Sequence, residues 1–156
     1  SIDMVSITDQ KEVTSSHNVT ITADKTLSEV NFEEAEMLIL PGGIPGTPNL
    51  RACTALCEKL KEFAANGKKV AAVCAAPTVL GELGILEGKK ATCYPSFADK
   101  LATGDYVKQP VVTDDNVITS RGMGTCIEFA GAIIAALKDK ATADAVKEAI
   151  IYNDVY

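Results

Sequence analysis

This 156-residue chain has no long hydrophobic run, no CxxC pair and only one histidine. No apolar stretch approaches the roughly 20 residues that a helix needs to cross a bilayer, so no membrane partner is expected. With no CxxC and a single histidine, His17, there is no ligand set for a metal, and neither metal nor cofactor is expected. The five cysteines, at positions 53, 57, 74, 93 and 126, are odd in number and irregular in spacing. No stretch reads as a secretion signal, so they are expected as reduced thiols in a cytoplasmic protein. Positive charge is short as well. Fifteen Lys and Arg against 21 Asp and Glu leave a net charge of -6, and a surface that acidic repels phosphate backbones, which excludes nucleic acid as an expected partner. The 11 glycines and six prolines fall at turns and form no linker, low-complexity tract or repeat.

What the chain does have is a 47% hydrophobic composition, enough for one domain to bury a core without disulfides or metal. Short strands are predicted over residues 4–8 and 19–23, separated by a polar turn. Residues 36–40 (EMLIL) form an apolar run ending at Pro41-Gly42-Gly43, the pattern of a parallel strand covered on both faces. A helix follows with Leu50, Cys53, Leu56, Leu60, Phe63 and Ala64 on one stripe and Gly67 as its stop. Cys53 and Cys57, four apart on it, read as buried apolar filler rather than as ligands. The Glu33–Glu36 run reads as a solvated helix start. Residues 69–74 (KVAAVC) make a second buried strand that runs into Ala75-Ala76-Pro77 and a new helix, with Pro77 in the first turn. A short strand near 91–94, a small helix near 97–101 and a hairpin around Asp114-Asp115-Asn116 come next. Thr125 and Glu128 have capping-box spacing at the start of an apolar helix, and a last helix covers 143–151. Strands alternating with helices predict an α/β fold: a mostly parallel sheet with helices on both faces.

In open α/β sheets, sites form beyond the carboxyl ends of the strands. Two such ends stand out: Pro41-Gly42-Gly43 and Cys74-Ala75-Ala76-Pro77. On spacing alone, a cysteine at a strand end reads first as a small buried hydrophobe. Two glycines after one strand and a small-residue bend after the next point instead to a nucleophile elbow with Cys74 at its apex. Helix-terminal amides there favour the thiolate. The N–H groups of Gly43 and Ala75 are expected to form an oxyanion hole, with Gly42-Gly43 allowing the close backbone approach.

Residues 39–43 (ILPGG), 71–78 (AAVCAAPT) and 119–125 (TSRGMGT) resemble the ThiJ/PfpI superfamily, over the whole chain and in order. The similarity is greatest to the branch of the parkinsonism-associated deglycase and its bacterial relatives. It implies a flavodoxin-like three-layer sandwich, as in class I glutamine amidotransferase-like domains, usually a homodimer, with an oxidisable cysteine matched by Cys74. Gly43 and Ala75 match the family's backbone donors. Where one branch has a histidine, this chain reads Thr92-Cys93-Tyr94-Pro95, so Tyr94 or Cys93 is expected to face the pocket and a Cys–His dyad to be absent. The protease branch has His after its cysteine; Ala75 stands there, which argues against a PfpI-type protease. Glutamine amidotransferases are disfavoured because their flanking glycines and downstream His-x-Glu are missing. Arg121 is a candidate for an anionic substrate or for tying down its loop. His17 falls where relatives place an Arg that reaches a dimer mate's site, and otherwise reads as a solvated turn residue.

The resemblance also implies a first strand, a Gly-Xaa-Glu loop and a helix whose Glu bonds the thiol. Ser1 falls in what reads as the second strand, so the single domain 1–156 is expected to lack one βα unit of about 30 residues, present as a preceding segment or separate chain. The activity implied is thiolate chemistry on a small carbonyl substrate, of glyoxalase or deglycase type, or that of an amidase-like hydrolase. The alternative is a redox-responsive or chaperone-like protein in which Cys74 is oxidised.

Overall fold

The computed structural model describes residues 1–152. Its centre is a four-stranded sheet in the order β5 (Met37–Leu40), β6 (Lys69–Val73), β10 (Val117–Ser120), β9 (Val111–Asp114). The first three strands are parallel, and β9 closes the sheet as the antiparallel arm of a hairpin. Strand β6 shows why these runs form central strands. Val70, Ala71, Ala72 and Val73 are all buried, which requires cover on both faces. Val70 and Ala72 pack with Leu56, Leu60 and Phe63 of α2 (Thr54–Ala65) and Val79 and Leu80 of α3 (Pro77–Glu82). Ala71 and Val73 pack on the other side with Phe129, Ala132 and Ile133 of α4 (Cys126–Leu137). Helix α5 (Lys140–Ala149) lies against α4. These layers make the flavodoxin-like α/β sandwich. Each of Leu60 and Phe63, at most 2% exposed, contributes roughly 2–3 kcal/mol by leaving water. Among the described residues, no helix is long and apolar enough to cross a membrane.

Three small ribbons surround the sheet. Strand β1 (Val5–Ser6) pairs in parallel with β4 (Lys25–Thr26), and β7 (Lys90–Ala91) with β8 (Asp105–Tyr106). An exposed antiparallel hairpin joins β2 (Glu12–Thr14) to β3 (Thr20–Thr22). Ile7 and Leu38 pack against one core, yet among the described residues no ladder joins β1 to β5.

Several local expectations are corrected. Glu33–Glu36 is no helix start but a turn, held because the Lys68 ammonium donates to the carbonyls of Phe32, Glu33 and Ala35. The long helix divides into α1 (Gly46–Ala52) and α2, because Cys53 adopts an extended backbone at φ -81 and ψ 92. Cys53 and Cys57 are half-buried there rather than buried. The predicted strand at 91–94 is cut to Lys90–Ala91, since the next amides leave the ladder: Thr92 N donates to Thr119 Oγ1 at 3.0 Å and Tyr94 N to Cys74 O at 2.8 Å. The helix near 97–101 is a 3₁₀ segment over Pro95–Lys100. The Thr125–Glu128 capping box does not form. The Thr125 hydroxyl donates instead to Gly122 O at 3.0 Å and meets Ser120 Oγ at 2.7 Å. Helix α5 starts three residues early because Asp139 caps it, accepting from Thr142 N at 2.7 Å.

Candidate functional site

Cys74 follows β6 directly and takes φ +66, a left-handed backbone that only a few per cent of non-glycine residues adopt. The surroundings hold it there. Its N–H donates to Ser120 O at 3.0 Å, on β10, and its carbonyl accepts from Tyr94 N at 2.8 Å. One turn on, the Thr78 hydroxyl donates to Ala75 O at 2.7 Å and accepts from Arg51 Nη2 at 3.2 Å. Arg51 Nε is in turn paired with Glu82 at 2.7 Å. Gly42 presses on the bend from β5: a Cβ there would lie 2.5 Å from Cys74 Cβ and 2.7 Å from Val73 O. Ala75 and Ala76 are buried while Cys74 is partly open to solvent.

Around the sulfur the hydrogen-bond inventory is sparse. Among the described residues, the Cys74 thiol has no hydrogen-bond partner, and the amides of Gly43 and Ala75 donate to no protein group. The close approach assigned to the glycine pair belongs to Gly42, whose hypothetical Cβ is also 3.2 Å from Ala75 N; a Cβ on Gly43 would meet nothing within 4 Å. A partly exposed thiol beside two unengaged amides is a geometry in which an anion formed at the sulfur, or on an oxygen bonded to the attacked carbon, can receive hydrogen bonds.

Cys93 and Tyr94 separate sharply. Tyr94 is 48% exposed, whereas Cys93 is 0% exposed with its Sγ 3.4 Å from Tyr94 O. Adjacent residues of an extended segment point to opposite sides, so only Tyr94 reaches the surface. Gly122 lies against its ring, a Cβ there falling 3.5 Å from Tyr94 Cδ2. Burial pushes the Cys93 thiol up to about 11, with the Arg121 charge pulling it down and Cys74 adding to the rise. In native protein at pH 8, iodoacetamide should therefore modify exposed Cys126 and leave Cys93 untouched, as read by peptide mass spectrometry. The neutral thiol is favoured in the fold, so its contribution is complete below the ordinary value of 9.0 and is lost as pH rises toward 11.

Arg121 follows β10, and its side chain forms neither an ion pair nor a hydrogen bond among the described residues; its Nε is buried. His17 is exposed in the β2–β3 turn, with Nδ1 3.2 Å from Ser16 Oγ. A cavity of about 350 Å³ opens between β1 and α2, lined by Ile7, Leu27, Phe32, Cys53 and Lys59 and away from Cys74. Among the described residues, no group of three His, Cys, Asp or Glu could hold a metal ion. Two residues that brace the bend were missed in the sequence: Thr78, three after Ala75, and Ser120, a polar residue ending a buried strand. Thr78 carries the signal of a hydroxyl placed where apolar packing would otherwise continue, whereas Ser120 acts through its main-chain carbonyl, which leaves no mark in the sequence.

The model of the DJ-1/PfpI family matches residues 1–136. Protein DJ-1 homolog A of Arabidopsis thaliana is 38% identical over 153 residues, which is 96% of this chain and 39% of that protein, so the chain spans about two fifths of that relative. The glutathione-independent glyoxalase DJR-1.2 of Caenorhabditis elegans is 38% identical over 120 residues, 76% of this chain and 63% of that protein. Among solved structures, oxidized Toxoplasma gondii DJ-1 superposes with a TM-score of 0.87 at 35% identity, covering 95% of this chain and 81% of its own. The elbow, the two unengaged amides and this likeness along nearly the whole length agree, and the chain belongs to the DJ-1/PfpI family.

Proposed function

We propose that this chain carries the site of a cysteine-dependent enzyme acting on small reactive carbonyls, of glyoxalase or deglycase type, in a cytoplasmic homodimer. The observation that supports it most is the left-handed backbone of Cys74, which holds a partly open thiol beside the free amides of Gly43 and Ala75. That a 38% identical relative is named a glutathione-independent glyoxalase lends further support. In the proposed cycle the Cys74 thiolate adds to the aldehyde carbon of a 2-oxoaldehyde. The carbonyl electrons move onto oxygen, where the two amides stabilise them. A base moves the proton from C1 to C2, leaving a thioester of the 2-hydroxy acid. Water hydrolyses the thioester, and thiol and 2-hydroxy acid are released. His17 is proposed to reach the partner's site in a homodimer.

The test compares methylglyoxal consumption by the full-length protein and its Cys74→Ser variant. Consumption should fall to background in the variant; equal rates would remove Cys74 from the chemistry. The alternative reading, oxidation of Cys74 in a redox-responsive or chaperone-like protein, is favoured if neither turns over while peroxide converts Cys74 selectively to a sulfinate.

A further inference from the structure

The chain has two arginines, and they are treated oppositely. Arg51 is engaged by Glu82 and Thr78. Arg121 has no partner among the described residues, although its Nε is withdrawn from solvent. Withdrawing even one nitrogen of a guanidinium, here Nε, from water without a partner carries a cost, and that cost is offset when an anion enters. Glu128 does not serve: its Oε2 is itself buried without a partner, and no ion pair joins the two side chains. The loop reading also fails, because the main chain and Thr125, not the guanidinium, hold that loop; Arg121 N donates to Pro110 O at 3.2 Å.

The position of Arg121 decides what the anion would be next to. Ser120, the preceding residue, accepts the Cys74 amide. Gly122, the following one, lies on the Tyr94 ring, and Tyr94 N is bonded to Cys74 O. Residues on both sides of Arg121 are thus one contact from Cys74 or Tyr94. The same charge acts on Cys93 together with that of Cys74, so its field reaches this end of the sheet.

We propose that Arg121 forms an anion subsite beside Cys74, so that the carbonyl compounds the site takes best carry a carboxylate next to the reacting carbonyl, as glyoxylate does. The planar fork of a guanidinium matches a carboxylate with two parallel hydrogen bonds. The substrate class rests on Cys74 acting as a nucleophile toward carbonyls; the subsite itself does not.

The experiment therefore avoids turnover. Cys74 is alkylated with anionic iodoacetate and with neutral iodoacetamide, and the ratio of the two rates is measured by mass spectrometry, with exposed Cys126 as the reference thiol. The Cys74 ratio, relative to Cys126, is expected to exceed one, to shrink as sodium chloride is added, and to fall about tenfold in Arg121→Gln. Arg121→Lys should restore part of it. Glyoxylate should protect Cys74 in the parent and not in Arg121→Gln. A parent ratio no higher at Cys74 than at Cys126 and indifferent to salt overturns the subsite without any variant. So does an Arg121→Gln ratio equal to the parent's. Neither outcome depends on whether methylglyoxal is consumed.

Discussion

Replacing Gly81 with alanine should lower the unfolding free energy by about 3 kcal/mol, a large share of the 5–15 kcal/mol typical of a domain. A glycine inside a helix ordinarily costs about 1 kcal/mol relative to alanine, so propensity alone predicts the opposite sign. Contact overrides propensity here. A Cβ at Gly81 would lie 2.1 Å from Leu101 O and 2.8 Å from its carbonyl carbon. Leu101 is 1% exposed and its segment is also tied down, since the Thr103 hydroxyl donates to Gly81 O at 3.2 Å. Backbone clashing with backbone has no rotamer to escape into. A urea titration should show the midpoint moving down with its slope unchanged. A midpoint that stays or rises would mean that the 95–101 segment shifts at little cost.

Gly42→Ala is the second large effect, and it should reach the chemistry as well as the fold. The added carbon would meet Cys74 Cβ at 2.5 Å and Val73 O at 2.7 Å. Relief requires β5 to move away from β6 or the bend to leave its left-handed backbone. We expect a loss of about 2–3 kcal/mol and, at temperatures where the variant is still folded, a Cys74 alkylation rate changed about tenfold or more, equivalent to about 1.4 kcal/mol in the barrier. Gly43→Ala supplies the control for space, because nothing lies within 4 Å of that position, although its φ of +92 still penalises a side chain. A Gly42→Ala protein with parental stability and thiol reactivity would refute the packing described around the elbow.

The central strands were legible because each is an apolar run ended abruptly by Gly, Pro or a small residue, and few local conformations satisfy both features. Met37–Leu40 and Lys69–Val73 fell within the predicted ranges for that reason. The hairpin at Asp114-Asp115-Asn116 was equally readable from its turn residues. The errors come from side chains with more than one possible partner. Thr125 had the spacing of a cap, but Gly122 O and Ser120 Oγ were within reach and took its hydroxyl. The helical stripe ran through Cys53 without a breaker, since a kink set by tertiary contact leaves no mark in periodicity. At the candidate site, Cys74 and its bend were readable as a local motif. Which of Cys93 and Tyr94 faces outward was not: it depends on one hydrogen bond, Tyr94 N to Cys74 O, between residues 20 positions apart. The unpartnered state of Arg121 is likewise a property of the assembled fold, because a single sequence does not say which charges meet.

Cys74 holds its left-handed backbone at a cost in free energy. For an L-residue the left-handed well lies about 1–2 kcal/mol above the right-handed one, and glycine alone escapes that cost. A chain selected only to stay folded would therefore gain by placing glycine at position 74. In the proposed function, the sulfur is what the cysteine supplies in exchange for that backbone cost.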